Sequence, residues 1–338
     1  MIIKKQAFPR AALIGNPSDG YYGKTIAFVF DNYSAQVDLY ETPELDFVPS
    51  LRDHSCFPNI REMVRQVGLY GYYGGIRLLK ASVKRFVEYC DEHAIKLHDR
   101  NFTMRYRTTI PNRLGLAGSS AIITASIRAL EEFYEISISK PELANLVLSV
   151  EMDELGIAAG LQDRVAQAYN VPVFMDFNRE HMAEFGYGIY KELTIPEDLN
   201  LFVAFRTDLA EGSEILHSRL RDDYNNGVPA VLDAIQEWAH LTDVVYDALQ
   251  KKDYGTIEKC LRRNFELRCE VCSSTVSAKN RRMVELANSL GASAKLTGSG
   301  GAIIGIYHDD DHYQQLKALF GRNQIDMVKP HIVTAGNE

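Results

Sequence analysis

PNRLGLAGSSA, residues 111–121, decides the fold of this chain, and we call it the central loop. Before it, apolar and polar side chains alternate over residues 102–111, a period of two that predicts a half-buried strand. After it, apolar side chains recur at helical spacing from Ile123 to Tyr134. The sequence therefore predicts a strand, a glycine loop and the start of a helix in succession.

The composition of the central loop favours an anion. Gly115 and Gly118 let the backbone approach a ligand closely, and the free N–H groups at a helix start attract negative charge, most plainly a phosphate chain. Ser119 and Ser120 stand where an N-cap hydroxyl would satisfy free backbone donors. No lysine follows the last glycine, so this is not a Walker loop. An ordinary capped helix after a turn explains the same residues.

The length and the net charge of the chain limit which class of protein it can belong to. The 338 residues suffice for two domains or one large one, and 46% hydrophobic and 24% charged residues are typical of a soluble globular protein. The net charge of −8 argues against general affinity for nucleic acid or an anionic membrane. No stretch approaches the roughly 20 apolar residues of a membrane span, and no signal peptide is recognisable. We therefore expect a cytoplasmic protein.

The five cysteines favour a reducing compartment over a disulfide framework, because their number is odd. Cys90 lies on an apolar stripe and is predicted to be a core residue. Cys269 and Cys272 form a CxxC pair, which zinc or redox sites use. The pair lies within a helical pattern and has no second ligand pair, so we predict a structural role.

A second loop, residues 15–23, joins two apolar segments that are predicted to be strands, 11–14 and 25–30. We call it the N-terminal loop. Substrate contact or simple solvent exposure explains the charged residues beside or within it. These are Arg10, Asp19 and Lys24.

Downstream of the N-terminal loop, residues 31–50 are predicted to supply an antiparallel partner strand, and residues 73–94 a long amphipathic helix. A capping box then starts a helix at Ser139 that carries Glu151 near its end. Another helix begins near Leu161 and puts Asp163 in its first turn, where the helix dipole favours an ionised carboxylate. An acidic residue there is also ordinary helix chemistry.

Residues 185–198 are the predicted boundary between domains. Beyond it a strand over 201–206 precedes several helical patterns and the loop TGSGG, residues 297–301, which we call the C-terminal loop. This loop has no GxGxxG pattern and no helix directly after it, so a dinucleotide fold is unsupported. Its backbone donors suit a second anion or the back of the central loop, and a tight hairpin is the simpler alternative. The remaining predicted elements are helices at 228–250, 254–272, 278–290 and 311–321, and a strand at 327–333.

Three motifs now stand in one order along the chain: PRAALIGNPSD, PNRLGLAGSSA and KLTGSGGA. Together they resemble the three motifs of the GHMP kinases, the family of galactokinase, homoserine kinase and mevalonate kinase. The spacing from Glu151 to Asp163 is similar to that of galactokinases. Local stretches such as GYYGGIRLL at 71–79 and ELGIAAGLQDRVAQ at 154–167 are most similar to the plant-type glucuronokinases.

The resemblance implies an α+β fold with two domains. Residues 1–190 would form an N-terminal domain like domain 2 of ribosomal protein S5, and residues 191–338 a ferredoxin-like C-terminal domain. The implied activity is that of an ATP-dependent and Mg²⁺-dependent sugar 1-kinase that converts D-glucuronate to glucuronate 1-phosphate. A kinase for a galactose-like or heptose-like sugar, and a catalytically silent sensor of sugar or nucleotide, are the alternatives. Nothing in the sequence sets the oligomeric state.

The resemblance also implies roles for single residues. Asp163 would face the acceptor hydroxyl as the catalytic carboxylate, and Arg10 would stabilise charge on the transferring phosphoryl group. Glu151, with a hydroxyl from Ser119 or Ser120, would hold Mg²⁺. The residues implied to bind ATP are Pro111, Gly115, Leu116, Ala117, Gly118, Ser119, Ser120 and Ala121. Those implied to lie near the substrate or the phosphates are Asp19, Thr297, Gly298, Ser299 and Gly300. Lys24 and Arg268 are added as substrate candidates because of their charge, and solvent exposure explains them equally.

Two departures from the family pattern limit these assignments. Ala117-Gly118 stands where many members run directly from glycine to paired serines, which leaves open which serine meets the metal. Asn16-Pro17 stands where galactokinases carry Glu-His, which argues against galactose. A uronic acid would also need a cation for its carboxylate. Arg268, Lys24 and Arg77 are the candidates.

Overall fold

The structure is a computed structural model, and it describes residues 1–50, 53, 74–112, 114–206, 214–272 and 276–335. Its strands are β1 (Ile2–Ala7), β2 (Arg10–Ile14), β3 (Lys24–Val29), β4 (Ala35–Glu41), β5 (Asp46–Val48), β6 (Phe102–Thr108), β7 (Val173–Asp176), β8 (Ile189–Glu192), β9 (Leu201–Phe205), β10 (Ser293–Leu296), β11 (Ala302–Ile306) and β12 (Asp326–Val328). Its helices are α1 (Ile76–Glu92), α2 (Gly118–Tyr134), α3 (Lys140–Ser149), α4 (Leu161–Tyr169), α5 (Arg179–Phe185), α6 (Glu214–Asn225), α7 (Pro229–Lys251), α8 (Tyr254–Val271), α9 (Ala278–Ser289) and α10 (Asp310–Arg322).

Two compact units share the chain. The first unit comprises Met1–Pro9, Tyr33–Asn112 and Ala117–Ala168, and the second comprises Arg10–Asn32, Arg113–Leu116 and Tyr169–Glu338. The units therefore interleave along the sequence. The division into domains at residue 190 stays a prediction.

The first unit is a four-stranded sheet in the order β1-β4-β6-β5, covered by helices. Its pairs are antiparallel except β5 with β6, which run parallel. Helix α2 packs on β1 and β4, and α1 packs on α2. The predicted apolar stripe of α2 is the reason, since Ile123, Ile127 and Leu130 are fully buried. This packing fixes the start of α2, where the central loop ends.

The second unit contains two four-stranded antiparallel sheets, in the orders β2-β3-β7-β8 and β10-β11-β9-β12. Helix α7 packs on β3, and α8 packs on α7 and β10. Trp238 of α7 is fully buried and donates its indole N–H to the carbonyl of Asn264 on α8, at 3.1 Å. The α7–α8 pair thus supports both the N-terminal and the C-terminal loop.

Most predicted elements and the α+β class are confirmed, but two predictions were wrong. Residues 31–50 supply β4 and β5, yet β4 pairs with β1 and β6, while β3 pairs with β2 and β7. The serines do not cap α2, because the helix begins at Gly118 and its N-cap residue is Ala117, with φ 61°. Sequence reasoning missed β1, β5, β8, α5 and α6. Residues 71–73 of the GYYGGIRLL stretch lie outside the described residues.

The core position predicted for Cys90 agrees with the structure. Cys90 is fully buried on α1. Cys269 and Cys272 lie at the end of α8 without a disulfide between them, and the described residues hold no group of three or more His, Cys, Asp or Glu that suits a metal ion. None of the helices in the described ranges has the length and apolar character needed to cross a bilayer.

Candidate active site

The central loop turns into α2 through two residues in the left-handed region, Gly115 and Ala117, each with φ 61°. Two side chains fix the carbonyl of Ala117 from within the first unit. Gln167 of α4 donates its Nε2–H to it at 2.9 Å, and Ser120 donates its hydroxyl at 3.1 Å. The loop therefore enters the helix in one set conformation, with its first backbone N–H groups free for a ligand.

Glu151 lies in a π-helical turn, Val150–Glu154, that extends α3, and it is fully buried. Its Oε1 accepts the hydroxyl proton of Ser119 at 2.5 Å. Its Oε2 accepts Nε–H of Arg164 at 2.7 Å and a second bond from the same guanidinium. Arg164, which sequence reasoning missed, therefore compensates a buried negative charge from the next helix. The only signal for it was an arginine directly after Asp163.

The Ser119–Glu151 pair suits Mg²⁺. Two hard oxygen atoms lie side by side, and one of them belongs to a carboxylate. Mg²⁺ commonly takes one or two protein oxygens and completes its shell with water and phosphate, so a larger protein cage is not needed. Ser120 instead donates to its own helix turn. The geometry therefore favours Ser119 over Ser120 as the metal-facing serine.

Asp163 lies in the first turn of α4, as expected from the sequence. One of its carboxylate oxygens lies 3.3 Å from Nη1 of Arg164, and the side chain is 19% exposed. Arg164 thus contacts both Glu151 and Asp163. Asp163 keeps an exposed edge, whereas Glu151 does not.

In the second unit, the N-terminal loop is held by Asn264 of α8. The amide oxygen of Asn264 accepts the backbone N–H of Gly15 at 2.8 Å, and its Nδ2 donates to the carbonyl of Asn16 at 3.1 Å. Gly15 has φ +91°, and a side chain there would overlap the carbonyl of Lys24. The loop then makes a 3-10 turn, Ser18–Tyr21, that carries Asp19.

The C-terminal loop joins β10 to β11 as a tight hairpin, and three buried cations hold it from behind. Arg10, Arg268 and Lys295 are 3%, 2% and 0% exposed. Arg10 donates to the carbonyl of Thr297 at 2.5 Å. Arg268 donates to the carbonyls of Gly298 at 2.8 Å and Ser299 at 3.2 Å. Lys295 donates to the carbonyl of Leu296, just before the loop, at 2.9 Å.

Desolvation dominates the electrostatics of these cations. It lowers the pKa of Arg268, and it lowers the pKa of Lys295 well below its usual value, with further lowering from the charges of Arg268 and Arg10. Lys295 also donates to the carbonyl of Ala12 and to the side-chain oxygen of Asn16. Its three acceptors match the three protons of an ammonium group, so the contacts suit the charged form.

The C-terminal loop also packs against the central loop, as one sequence interpretation expected. A Cβ on Gly298 would overlap the carbonyl oxygen of Gly115 and lie 3.1 Å from Nη1 of Arg10. A Cβ on Gly115 would lie 2.9 Å from the carbonyl oxygen of Gly300. Backbone therefore meets backbone here, and only glycine fits at Gly298 without a shift.

Two of the cations assigned to the substrate are engaged elsewhere. Lys24 pairs with Asp243 at 2.8 Å and lies 3.6 Å from Asp176, so two carboxylates already compensate its charge. Arg268 is buried and donates to loop carbonyls. Neither geometry supports direct contact with a substrate carboxylate. The third candidate, Arg77, lies on α1 of the first unit.

Comparison with known proteins gives concordant matches. The model of the GHMP kinases N terminal domain matches residues 78–170, and the GHMP kinases C terminal model matches residues 245–322. Probable glucuronokinase 2 of Arabidopsis thaliana is 41% identical over 311 residues, which cover 90% of this chain and 84% of that protein. Glucuronokinase 1 of the same plant is 38% identical over 309 residues, 89% of this chain and 84% of that protein.

Among solved structures, the phosphomevalonate kinase of Streptococcus pneumoniae superposes with a TM-score of 0.76 at 13% identity, covering 98% of this chain and 100% of that one. This similarity shows the fold. The matches to both family models and to the plant relatives show more, because they extend along the sequence itself. The chain therefore belongs to the GHMP kinases, a family of ATP-dependent small-molecule kinases.

Proposed function

We propose that this sugar kinase transfers the γ-phosphoryl group of ATP to the anomeric hydroxyl of D-glucuronate, giving glucuronate 1-phosphate and ADP. The observation that carries the proposal is the similarity to two glucuronokinases over about nine-tenths of the chain. A kinase for another sugar, galactose-like or heptose-like, is the alternative. Asn16-Pro17 at the N-terminal loop disfavours galactose, because the galactokinase Glu-His pair is missing there.

In the proposed reaction, the acceptor oxygen forms a bond to the γ-phosphorus as the bond from that phosphorus to the β–γ bridging oxygen breaks. Asp163 orients the acceptor hydroxyl and takes its proton, and ADP leaves with the bridging oxygen. Arg10, which is buried and donates to the carbonyl of Thr297, would offset charge on the transferred phosphoryl group through its own charge, from its position behind the C-terminal loop. Phosphoryl transfer depends mainly on positioning and charge compensation, so no covalent intermediate is required.

The central loop would bind the ATP phosphates through the free N–H groups at the start of α2. Ser119 and Glu151 would hold Mg²⁺, which when bound neutralises phosphate charge. Arg164 keeps the Glu151 carboxylate in place through two hydrogen bonds to one oxygen and leaves the other oxygen facing Ser119. The C-terminal loop would support the central loop from the side of Gly298.

A screen of ATP consumption tests the acceptor. Purified protein is incubated with Mg²⁺-ATP and, separately, glucuronate, galacturonate, glucose, galactose, mevalonate and homoserine, and ADP release is followed with a coupled assay. Pairing of the substrate carboxylate with a cation is worth about 2 kcal/mol or more, so we expect kcat/KM for glucuronate to exceed that for glucose at least 30-fold. Phosphorus NMR should show an anomeric phosphate. Equal efficiency on glucose and glucuronate would refute the glucuronate assignment and leave the kinase assignment intact.

A further inference from the structure

A uronic acid differs from its neutral sugar by one carboxylate, and binding that group requires a cation, because an unpaired buried anion is strongly unfavourable. Lys24 is paired with Asp243, and Arg268 is committed to the C-terminal loop. Asp19, in the N-terminal loop, adds a negative charge that repels an acid. A cation on another element near this loop is therefore a further candidate.

Helix α6 meets the N-terminal loop through two aromatic rings. The rings of Tyr21 and Tyr224 lie 5.1 Å apart between centroids. Arg221 precedes Tyr224 by three residues, so both side chains lie on one face of α6. This places the guanidinium of Arg221 beside Tyr21, two residues along the chain from Asp19.

The environment of Tyr21 agrees with this placement. Burial raises the pKa of Tyr21 to about 12, and Arg221 partly offsets that rise through its charge and a side-chain hydrogen bond. Asp19 acts on the same phenol in the opposite direction. The Tyr21 hydroxyl is buried, and among the described residues nothing accepts its proton, because the Arg221 guanidinium beside it can only donate. An unused buried donor calls for a ligand or a bound water.

Arg221 is also available for a ligand. Its side chain is exposed, and among the described residues it interacts with the phenol of Tyr21 rather than with a carboxylate. A guanidinium is planar and matches a carboxylate with two parallel hydrogen bonds, which an ammonium group does not. An exposed arginine that contacts a phenol but no carboxylate among the described residues, the proton of that phenol and an acidic acceptor for sugar hydroxyls thus surround one short turn.

We propose that Arg221, assisted by the hydroxyl of Tyr21, binds the carboxylate of a sugar-acid acceptor and thereby sets the preference for uronic acids over neutral sugars. This inference rests on the proposed function. It assigns Asp19 to sugar hydroxyls and Arg221 to the acid end of the same acceptor. Lys24 and Arg268 then keep structural roles.

The test compares glucuronate with glucuronamide, a neutral amide of nearly the same shape, in wild type and in Arg221→Ala, Arg221→Lys and Tyr21→Phe. We expect Arg221→Ala to lower kcat/KM for glucuronate at least 30-fold, mainly through KM, and to leave glucuronamide within about two-fold. Arg221→Lys should recover part of the loss, since the charge remains. Tyr21→Phe should cost glucuronate a few-fold.

Arg179→Ala is the matched control. Arg179 is exposed like Arg221, and its guanidinium lies 5.2 Å from the ring centroid of Tyr22, on the neighbouring residue of the same turn. We expect this variant to leave the preference for glucuronate over glucuronamide unchanged. Thermal melts of all variants check that folding is intact.

The outcomes separate the two proposals. If wild type phosphorylates glucuronate but Arg221→Ala keeps the wild-type preference, or loses both acceptors equally, the role of Arg221 is refuted and the proposed function stands. If wild type phosphorylates neutral sugars and no uronic acid, the proposed function is refuted first. A loss of preference in Arg179→Ala rather than in Arg221→Ala would move the acid-binding role to α5 and overturn the inference.

Discussion

Replacing Arg164 with methionine should destabilise the protein far more than removal of a surface arginine does. Glu151 is 0% exposed, and two of its three side-chain hydrogen bonds come from Arg164. Without the guanidinium, the carboxylate keeps only the neutral hydroxyl of Ser119. A buried charge that loses its partner is costly, since neither water nor another ion takes the place of that partner.

The expected magnitude follows from this burial. Breaking a buried ion pair by removal of one partner costs about 3–5 kcal/mol. An unfolding entropy of about 2.1 cal/mol/K per residue over 338 residues amounts to about 0.7 kcal/mol/K, so Tm should fall by about 4–7 °C for cooperative unfolding. The double variant Glu151→Gln, Arg164→Met should be less destabilised than Arg164→Met alone, because it buries no charge at this position.

Urea denaturation and thermal melts of purified variants measure this effect. Arg85→Met is the matched control, because Arg85 also donates to a carboxylate and a serine, those of Glu88 and Ser149, but that carboxylate is 36% exposed. An exposed ion pair contributes about 0–1 kcal/mol, so this variant should stay within about 1 kcal/mol of wild type. If Arg164→Met and Arg85→Met lose the same small amount, compensation of Glu151 by Arg164 is not what stabilises this turn.

Four further predictions address the catalytic residues and the loops. Asp163→Asn should lower kcat by on the order of 10² or more with KM for ATP nearly unchanged, and near-normal turnover would remove Asp163 from the mechanism. Glu151→Gln should raise the Mg²⁺ concentration needed for half-maximal activity, and an unchanged Mg²⁺ titration would argue against its role as a ligand. Gly298→Ala should raise KM for ATP several-fold, because its Cβ displaces the backbone at Gly115, whereas Gly321→Ala, which meets no atom within 4 Å, should be silent in the same assay. Burial lowers the pKa of Lys295 in the folded state, so between that pKa and 10.5 the unfolded chain binds more protons than the folded one. The free energy of unfolding of wild type, minus that of Lys295→Met, should therefore increase as pH rises toward 10.5. Urea titrations at several pH values measure this difference, and a constant difference would contradict the burial argument.

Elements with strong periodicity were predictable from the sequence. The helix predicted over 228–250 is α7, Pro229–Lys251, and the helix predicted near Leu161 begins at that residue. Apolar side chains at helical spacing decide such elements locally. Strand pairing is different, because the partner of a strand depends on distant residues. Thus β4 was correctly placed on the chain and assigned the wrong neighbour.

In the candidate site, too, local features were predictable from the sequence and contacts with distant residues were not. The roles of Glu151 and Asp163, and of Ser119 or Ser120, come from the resemblance to the family motifs and stay predictions. The hydroxyl of Ser119 was predicted to cap its helix but donates to Glu151 instead. A serine at a helix start has both options, and the choice is made by a carboxylate 32 residues away. No local pattern contains that information.

Arg268 shows why a functional arginine is hard to assign from sequence alone. It stands out in α8 as a cation on a partly apolar face, which suits either a ligand site or a buried structural contact. The structure gives it the second role, since both terminal nitrogen atoms donate to carbonyls of the C-terminal loop. Arg164 is used similarly in the first unit, where it holds Glu151 rather than a ligand.

Arg268 and Arg164 have the same physical role in the two units: each satisfies buried polar atoms of the protein itself. A loop or carboxylate that must present fixed polar atoms to a charged ligand needs its other polar atoms satisfied by the protein, because buried unpaired groups are unfavourable. A guanidinium does this with several donors in a fixed plane. A cation that pairs with a substrate carboxylate needs donors that the protein itself does not use, and an exposed arginine beside a loop meets that condition. That distinction separates Arg221 from Arg268 and Lys24, and it is why exposure and pairing, rather than residue type, identify the candidate for acid recognition.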